Sequence, residues 1–142
     1  MATLTSTYAQ SDVQAKAVLT GLNWVYAEYT LGAAFSAGDV VQMVKVPNGA
    51  RIADVKVGNL SVASGSFSVG DGGNTSRYIA GTSATLSTVF SLNQAGGLGY
   101  KYSISDDAAV QFDTIDYTQS VAGGSAGSVV RMTVAYTMDE TY

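Results

Sequence analysis

The chain has 142 residues, 7 basic and 11 acidic side chains, a formal charge of −4, and neither cysteine nor histidine. That length supports one domain with a core large enough to fold unaided. The missing imidazole and thiolate exclude Ser-His-Asp and Cys-His catalysis and the usual zinc sites together, so no catalytic residue, cofactor or metal is expected.

Charged residues make up 13% of the chain, against about 25% in an average soluble domain. A surface poor in long charged side chains loses little side-chain entropy when another protein covers it. This favours a subunit of an assembly, although a plain Ser/Thr-rich β-protein has the same composition. The basic residues Lys16, Lys45, Arg51, Lys56, Arg77, Lys101 and Arg131 are scattered, whereas nucleic-acid binding needs them clustered. No nucleic-acid partner is expected. No apolar run approaches the roughly 18 residues of a membrane span, and MATLTSTYAQSDVQAKAV lacks the basic and apolar regions of a signal peptide. Neither a membrane partner nor Sec export is expected.

Residues 1–22 are polar and weakly patterned and read as an extended arm, with capping-box spacing at Ser11 and Gln14 that permits a helical turn near Asp12–Val18. From Asn23 the texture changes, and 23–142 reads as the folded domain. NWVYAEYTL sets Val25, Ala27, Tyr29 and Leu31 on one face and Trp24, Tyr26, Glu28 and Thr30 on the other, the period of a strand. DVVQMVKV and ARIADVKV flank Pro47-Asn48-Gly49, a turn in which proline presets φ and glycine accepts a positive one. A β-hairpin is predicted there. Strands follow at LSVAS, SFSVG, SRYIA, GYKYSI and AAVQFDTIDY, the last with an apolar phase shift between Phe112 and Ile115 that suggests a bulge or strand bend. TSATLSTVFSLNQA, at 82–95, is ambiguous, and its β-branched content favours strand. GGSAG, at 123–127, reads as a flexible loop. SVVRMTVAYTM closes the chain with Val130, Met132, Val134, Tyr136 and Met138 on one face. Many short strands with Gly-rich turns predict an all-β sandwich, jelly-roll-like, carrying an N-terminal arm.

The stretch VGDGGNTSRYIAGTSA, Val69 to Ala84, holds four glycines, an aspartate and an arginine. A phosphate-binding loop needs a lysine after its last glycine, and a dinucleotide loop needs a following helix; this stretch has neither. A calcium loop needs carboxylates at alternate positions, which Asp71 and Asn74 do not supply. A glycine-rich turn remains, with Arg77 entering the next strand to meet a carboxylate or a neighbouring chain. Asp106-Asp107 and Asp113/Asp116 have the residue types of a glycosidase pair, but adjacent loop aspartates are more often solvated turn residues. The nine tyrosines and Trp24 suit a sugar-stacking platform, although aromatics at alternating strand positions are more often core or interface. Trp24, Tyr26, Arg77 and Tyr78 are the candidate contact residues.

In this order, DVVQMVKVPNGARIADVKV, SVGDGG..SRYIAGTSA and QAGGLGYKYSISDDAAVQFDTI resemble a family of small structural proteins of tailed bacteriophages, over about Gly38 to Tyr136. The resemblance implies a capsid decoration, or cement, protein: a non-enzymatic β-sandwich subunit on the outer surface of the head, made in the host cytoplasm. Its implied partner is the major capsid protein. It implies a homo-oligomer, with a trimer favoured by local three-fold lattice sites and a dimer also permitted. A tail, collar or head-fibre component is the second virion reading, and a carbohydrate-binding module is the reading from another class.

Overall fold

A computed structural model describes residues 2–6, 22–60, 65–83, 88–91 and 112–138. Nine strands are described: β1 (Thr3–Thr5), β2 (Asn23–Thr30), β3 (Val40–Pro47), β4 (Ala50–Leu60), β5 (Ser66–Gly70), β6 (Ile79–Ser83), β7 (Thr88–Ser91), β8 (Phe112–Gln119) and β9 (Val129–Met138). They form two sheets, in the orders β1-β3-β8-β5-β6 and β2-β9-β4-β7. No helix among the described residues is long and apolar enough to cross a membrane. The segment Asp12–Val18, the strand at GYKYSI and the pair Asp106-Asp107 lie outside the described residues.

Both sheets face one apolar core. Val41, Val44, Val46, Phe67, Val69, Ile115 and Tyr117 line it from the five-stranded sheet. Ala27, Ile52, Val55, Val57, Val130, Met132, Val134 and Tyr136 line it from the other. Alternation in β2 and β9 runs as their sequences require, because each strand has one face on the core. β9 lies between β2 and β4, in register Ala27↔Met132 and Val57↔Met132, and its inward residues Val130, Met132, Val134 and Tyr136 are buried.

Pro47-Asn48-Gly49 does not close a hairpin. β3 pairs with β1 and β8, whereas β4 pairs with β7 and β9, so the turn carries the chain from one sheet to the other. Gly49 sits at φ 87°, as the turn chemistry demands, but the reversal runs across the core rather than along a sheet. Among the described residues the only consecutive strands that pair are β5 and β6. Among the described residues the hairpin is therefore the glycine-rich stretch after Val69.

The predicted bulge is also displaced. β8 is regular, and Phe112 lies outward, with the Lys45 ammonium 4.7 Å from its ring centroid. The ladder slips instead on β3, between Gln42 and Val44, and on β4, between Ile52 and Asp54. Met43 and Ala53 are the extra residues. Each bulge shifts the inward phase by one, so that Val41 and Met43, then Val44 and Val46, all reach the core. The equivalent pairs on β4 are Ala50 and Ile52, then Val55 and Val57.

Two further departures concern the ends of the sheets. Within the arm, Thr3–Thr5 is a strand, parallel to β3 in register Leu4↔Val41. The GGSAG loop is tied down: Gly123 exchanges backbone hydrogen bonds with Phe35, and Gly127 N–H donates to the Leu31 carbonyl. These bonds join the β2–β3 and β8–β9 connections. Beneath them Tyr117 stacks on Phe67 and Phe35, at centroid distances of 5.0 and 5.8 Å. The Tyr117 hydroxyl donates to Gln119 Oε1, and Gln119 Nε2 donates to the Val121 carbonyl, so the phenol is buried with its polar end satisfied.

Candidate contact surface

Trp24 and Tyr26 lie two apart on β2, an edge strand, so period-2 alternation points both away from the core. They are 52% and 54% exposed, the reverse of what side chains of their size ordinarily do in a single folded chain. The register places Trp24 opposite Ala135 and Tyr26 opposite Thr133 on β9, and those two residues opposite Asp54 and Lys56 on β4. The outer face of this sheet is thus an aromatic edge beside a row of paired charges.

The charges hold one another. Arg131 Nε donates to Glu28 Oε2 at 3.3 Å, and the Tyr26 hydroxyl donates to the same oxygen at 3.0 Å. Lys56 Nζ stands 3.7 Å from Asp54 Oδ2 and 5.5 Å from the Trp24 ring centroid. Exposed pairs of this kind contribute little to folding, about 0–1 kcal/mol. They do fix the orientation of long side chains around the rings, and a surface ordered in advance has less entropy to lose when covered. The face therefore offers two large apolar side chains in a fixed polar frame, which is the makeup of a contact surface rather than of a reaction centre.

Arg77 and Tyr78 do not join it. The Arg77 guanidinium meets the buried Asp71 carboxylate, with Nε 2.7 Å from Oδ2. The other oxygen, Oδ1, accepts from Gly73 N–H and Asn74 N–H at 3.0 and 2.8 Å. Asp71 thus organises the β5–β6 turn, and its oxygens are engaged by the chain itself. Gly70 belongs to the same device, because a Cβ there would overlap the Asn74 carbonyl oxygen folded back above it. Among the described residues no three carboxylates stand where they could hold one metal ion. Tyr78 is fully buried, with its N–H donating to the Val69 carbonyl. It is a core residue, and as a candidate contact residue it is corrected. Entry to a strand beside a turn suggests exposure, but Tyr78 immediately precedes β6 and is buried together with its neighbour Ile79.

Asp113 and Asp116 are three residues apart on the regular strand β8, so they occupy opposite faces and do not converge on a substrate. Asp116 is 7% exposed, and its Oδ1 accepts no hydrogen bond among the described residues. Burial pushes its carboxyl up to about 7, against a lowering contribution from Thr114. Asp39 is the opposite case. Its two oxygens accept from Ser36 N–H at 2.8 Å and Ala2 N–H at 2.9 Å, which hold its carboxyl below the ordinary value. Sequence reasoning overlooked Asp39; the signal lay in its place just before a strand, where a carboxylate commonly accepts from turn N–H groups.

No family model matches the chain, and no curated protein matches its sequence. Two solved structures share its fold. A chain of the capsid of Ralstonia phage GP4 aligns over 99% of this chain and 99% of its own length, with a TM-score of 0.80 at 14% identity. A chain of the cyanophage Pam1 capsid asymmetric unit aligns over 92% of this chain and 95% of its own, with a TM-score of 0.66 at 19% identity. At such identities the likeness is one of fold, and it extends from end to end. The protein is built on the same two-sheet architecture as a chain in each of two phage capsid structures.

Proposed function

We propose that the protein is a structural component of a tailed-phage virion, and within it a decoration protein on the outside of the head that clamps neighbouring major capsid protein subunits. The observation that carries this reading is the end-to-end match to a chain of the GP4 capsid: the whole chain, not a subdomain, corresponds to one building block of a shell. The ordered phage-like motifs over Gly38 to Tyr136 support it independently. In this reading the fold is a jelly roll, with 23–142 as the domain and 1–22 as the arm. The alternation of strands between two sheets, with β5–β6 as the one described hairpin, favours that assignment.

Trp24 and Tyr26 are the proposed contact residues. Burying a large side chain of this kind is worth about 1.5–3 kcal/mol. That is weak for one subunit, and strong when several subunits of an oligomer engage a lattice together. A trimer on local three-fold positions satisfies equivalent contacts at once, and no catalytic step, metal or cofactor enters the mechanism. Co-sedimentation with undecorated heads and with free capsid protein tests the reading. Binding to heads, and much weaker binding to free subunits, is the expected outcome, because only the lattice presents several sites at the correct spacing. Failure to bind heads would move the protein to the tail, collar or fibre. A glycan-array signal lost in Trp24→Ala would favour the carbohydrate-binding reading, which the same two exposed rings permit.

A further inference from the structure

Strand β1 differs from every other described strand. It has three residues, pairs with β3 alone, and makes the only parallel pairing among the described residues. Its contacts lie at the edge of one sheet. Ala2 N–H donates to Asp39 Oδ1, and the Ala2 carbonyl accepts from Val40 N–H at 2.9 Å. Ser6 N–H donates to the Gln42 carbonyl at 2.9 Å, and the Ser6 hydroxyl donates to the carbonyl of Met43, the bulged residue. Leu4 packs against the core beside Val41 without being fully buried. The hydrogen bonds and ladder pairings join residues 2–6 to residues 39–43. Nothing in them distinguishes a chain's own N-terminus from that of an identical chain.

The connection supplies the distinction. β1 and β2 lie in different sheets, and stacked sheets stand about 10 Å apart. Two residues, Asn48 and Gly49, suffice to make such a crossing between β3 and β4. The connection from β1 to β2 has 17 residues, 6–22, with a contour of up to about 60 Å. That is several times the spacing of two stacked sheets, and leaves length to spare for a connection to a second copy. Among the described residues, the partly buried apolar residues packed against the core are Leu4 on β1 and Val25 and Tyr29 on β2, each on an edge strand of its sheet.

We infer that β1 is a donated strand: in the oligomer, residues 2–6 of one copy dock onto β3 of a neighbouring copy, with Asp39 of the receiver accepting the donor's Ala2 N–H. Exchange replaces each intrachain contact by the same contact between chains, so it has little enthalpic cost, and it ties subunits together through the connection. The inference rests on the reading of the protein as an oligomeric shell component and names how its copies are linked.

The chain contains no cysteine, so the pairing can be trapped cleanly. Thr3 faces Val40, and Thr5 faces Gln42. Thr3→Cys/Val40→Cys and Thr5→Cys/Gln42→Cys are oxidised, or bridged with a short bis-maleimide, at micromolar protein. The products are separated on denaturing gels, and native mass spectrometry of the untreated samples gives the oligomeric state. Exchange predicts covalent species above the monomer, comprising most of the linked material in both variants. Linked material that is mainly internally closed monomer, in a sample that is oligomeric by native mass, would overturn strand exchange and leave the oligomer standing. The same product from a monomeric sample would overturn both. Absence of any link in both variants would overturn the β1–β3 pairing itself.

Discussion

Gly49 has a φ of 87° in a two-residue crossing between sheets, and a β-branched side chain there costs about 1–3 kcal/mol in backbone strain. Gly49→Val is expected to lower the melting temperature by several degrees, whereas Asn48→Asp leaves it nearly unchanged; thermal denaturation of the two variants checks this. The carboxylates divide by environment. Asp116, raised to about 7 by burial, contributes stability that is fully present below the ordinary carboxylate range and is lost as pH rises through 7. Asp39, lowered by its two N–H donors, contributes stability above that range, which is lost as the pH falls through its depressed value. Wild type should therefore gain melting temperature from pH 8 to pH 5.5, and Asp116→Asn should flatten that slope. An unchanged slope in Asp116→Asn would contradict the assignment. The sequence disclosed where these residues lie along the chain, but a pKa depends on what covers a side chain. No local pattern distinguishes Asp116 from Asp113 three positions earlier.

At the scale of elements, the β5–β6 turn is built around one carboxylate that holds two backbone N–H groups and a guanidinium. Removing a partner from such a buried pair costs on the order of 3 kcal/mol, so Asp71→Ala should destabilise the fold strongly and Arg77→Lys should recover only part of the loss of Arg77→Ala. Because Asp71 is engaged by its own chain, millimolar calcium or a chelator should leave the melting temperature unchanged. A calcium-dependent rise would reopen the loop as a metal site, since a ligand of the native state must stabilise it. Strands β2 and β9 were legible from alternation because each has one face on the core. The Pro47-Asn48-Gly49 hairpin was misread for a physical reason: proline and glycine specify that the chain reverses, not whether it reverses within a sheet or across the core. Likewise the phase shift at Phe112 was visible, but β3 absorbs the irregularity at Met43 while Phe112 turns outward. β1 was hidden because three residues of edge strand carry no periodicity, and its partners, Asp39 among them, lie 37 residues away.

For the molecule as a whole, the low charge content, the two exposed aromatics and the end-to-end likeness to a capsid chain point the same way. Trp24 and Tyr26 were legible as outward residues, since alternation alone sends them away from Val25 and Tyr29. Alternation along one strand carries no information about what covers them. Trp24→Ala with Tyr26→Ala should change folding stability by about 1 kcal/mol or less, and should weaken binding to undecorated heads at least tenfold, as measured by co-sedimentation. Equal binding by this variant would move the contact to another face. The most direct measurement is a cryo-electron microscopy map of the virion that carries this chain, resolved well enough to place its two sheets. The account predicts density for the chain on the outside of the head, bridging adjacent major capsid protein subunits at repeated lattice positions. Density only in the tail, collar or fibres, or none in the particle, would contradict it.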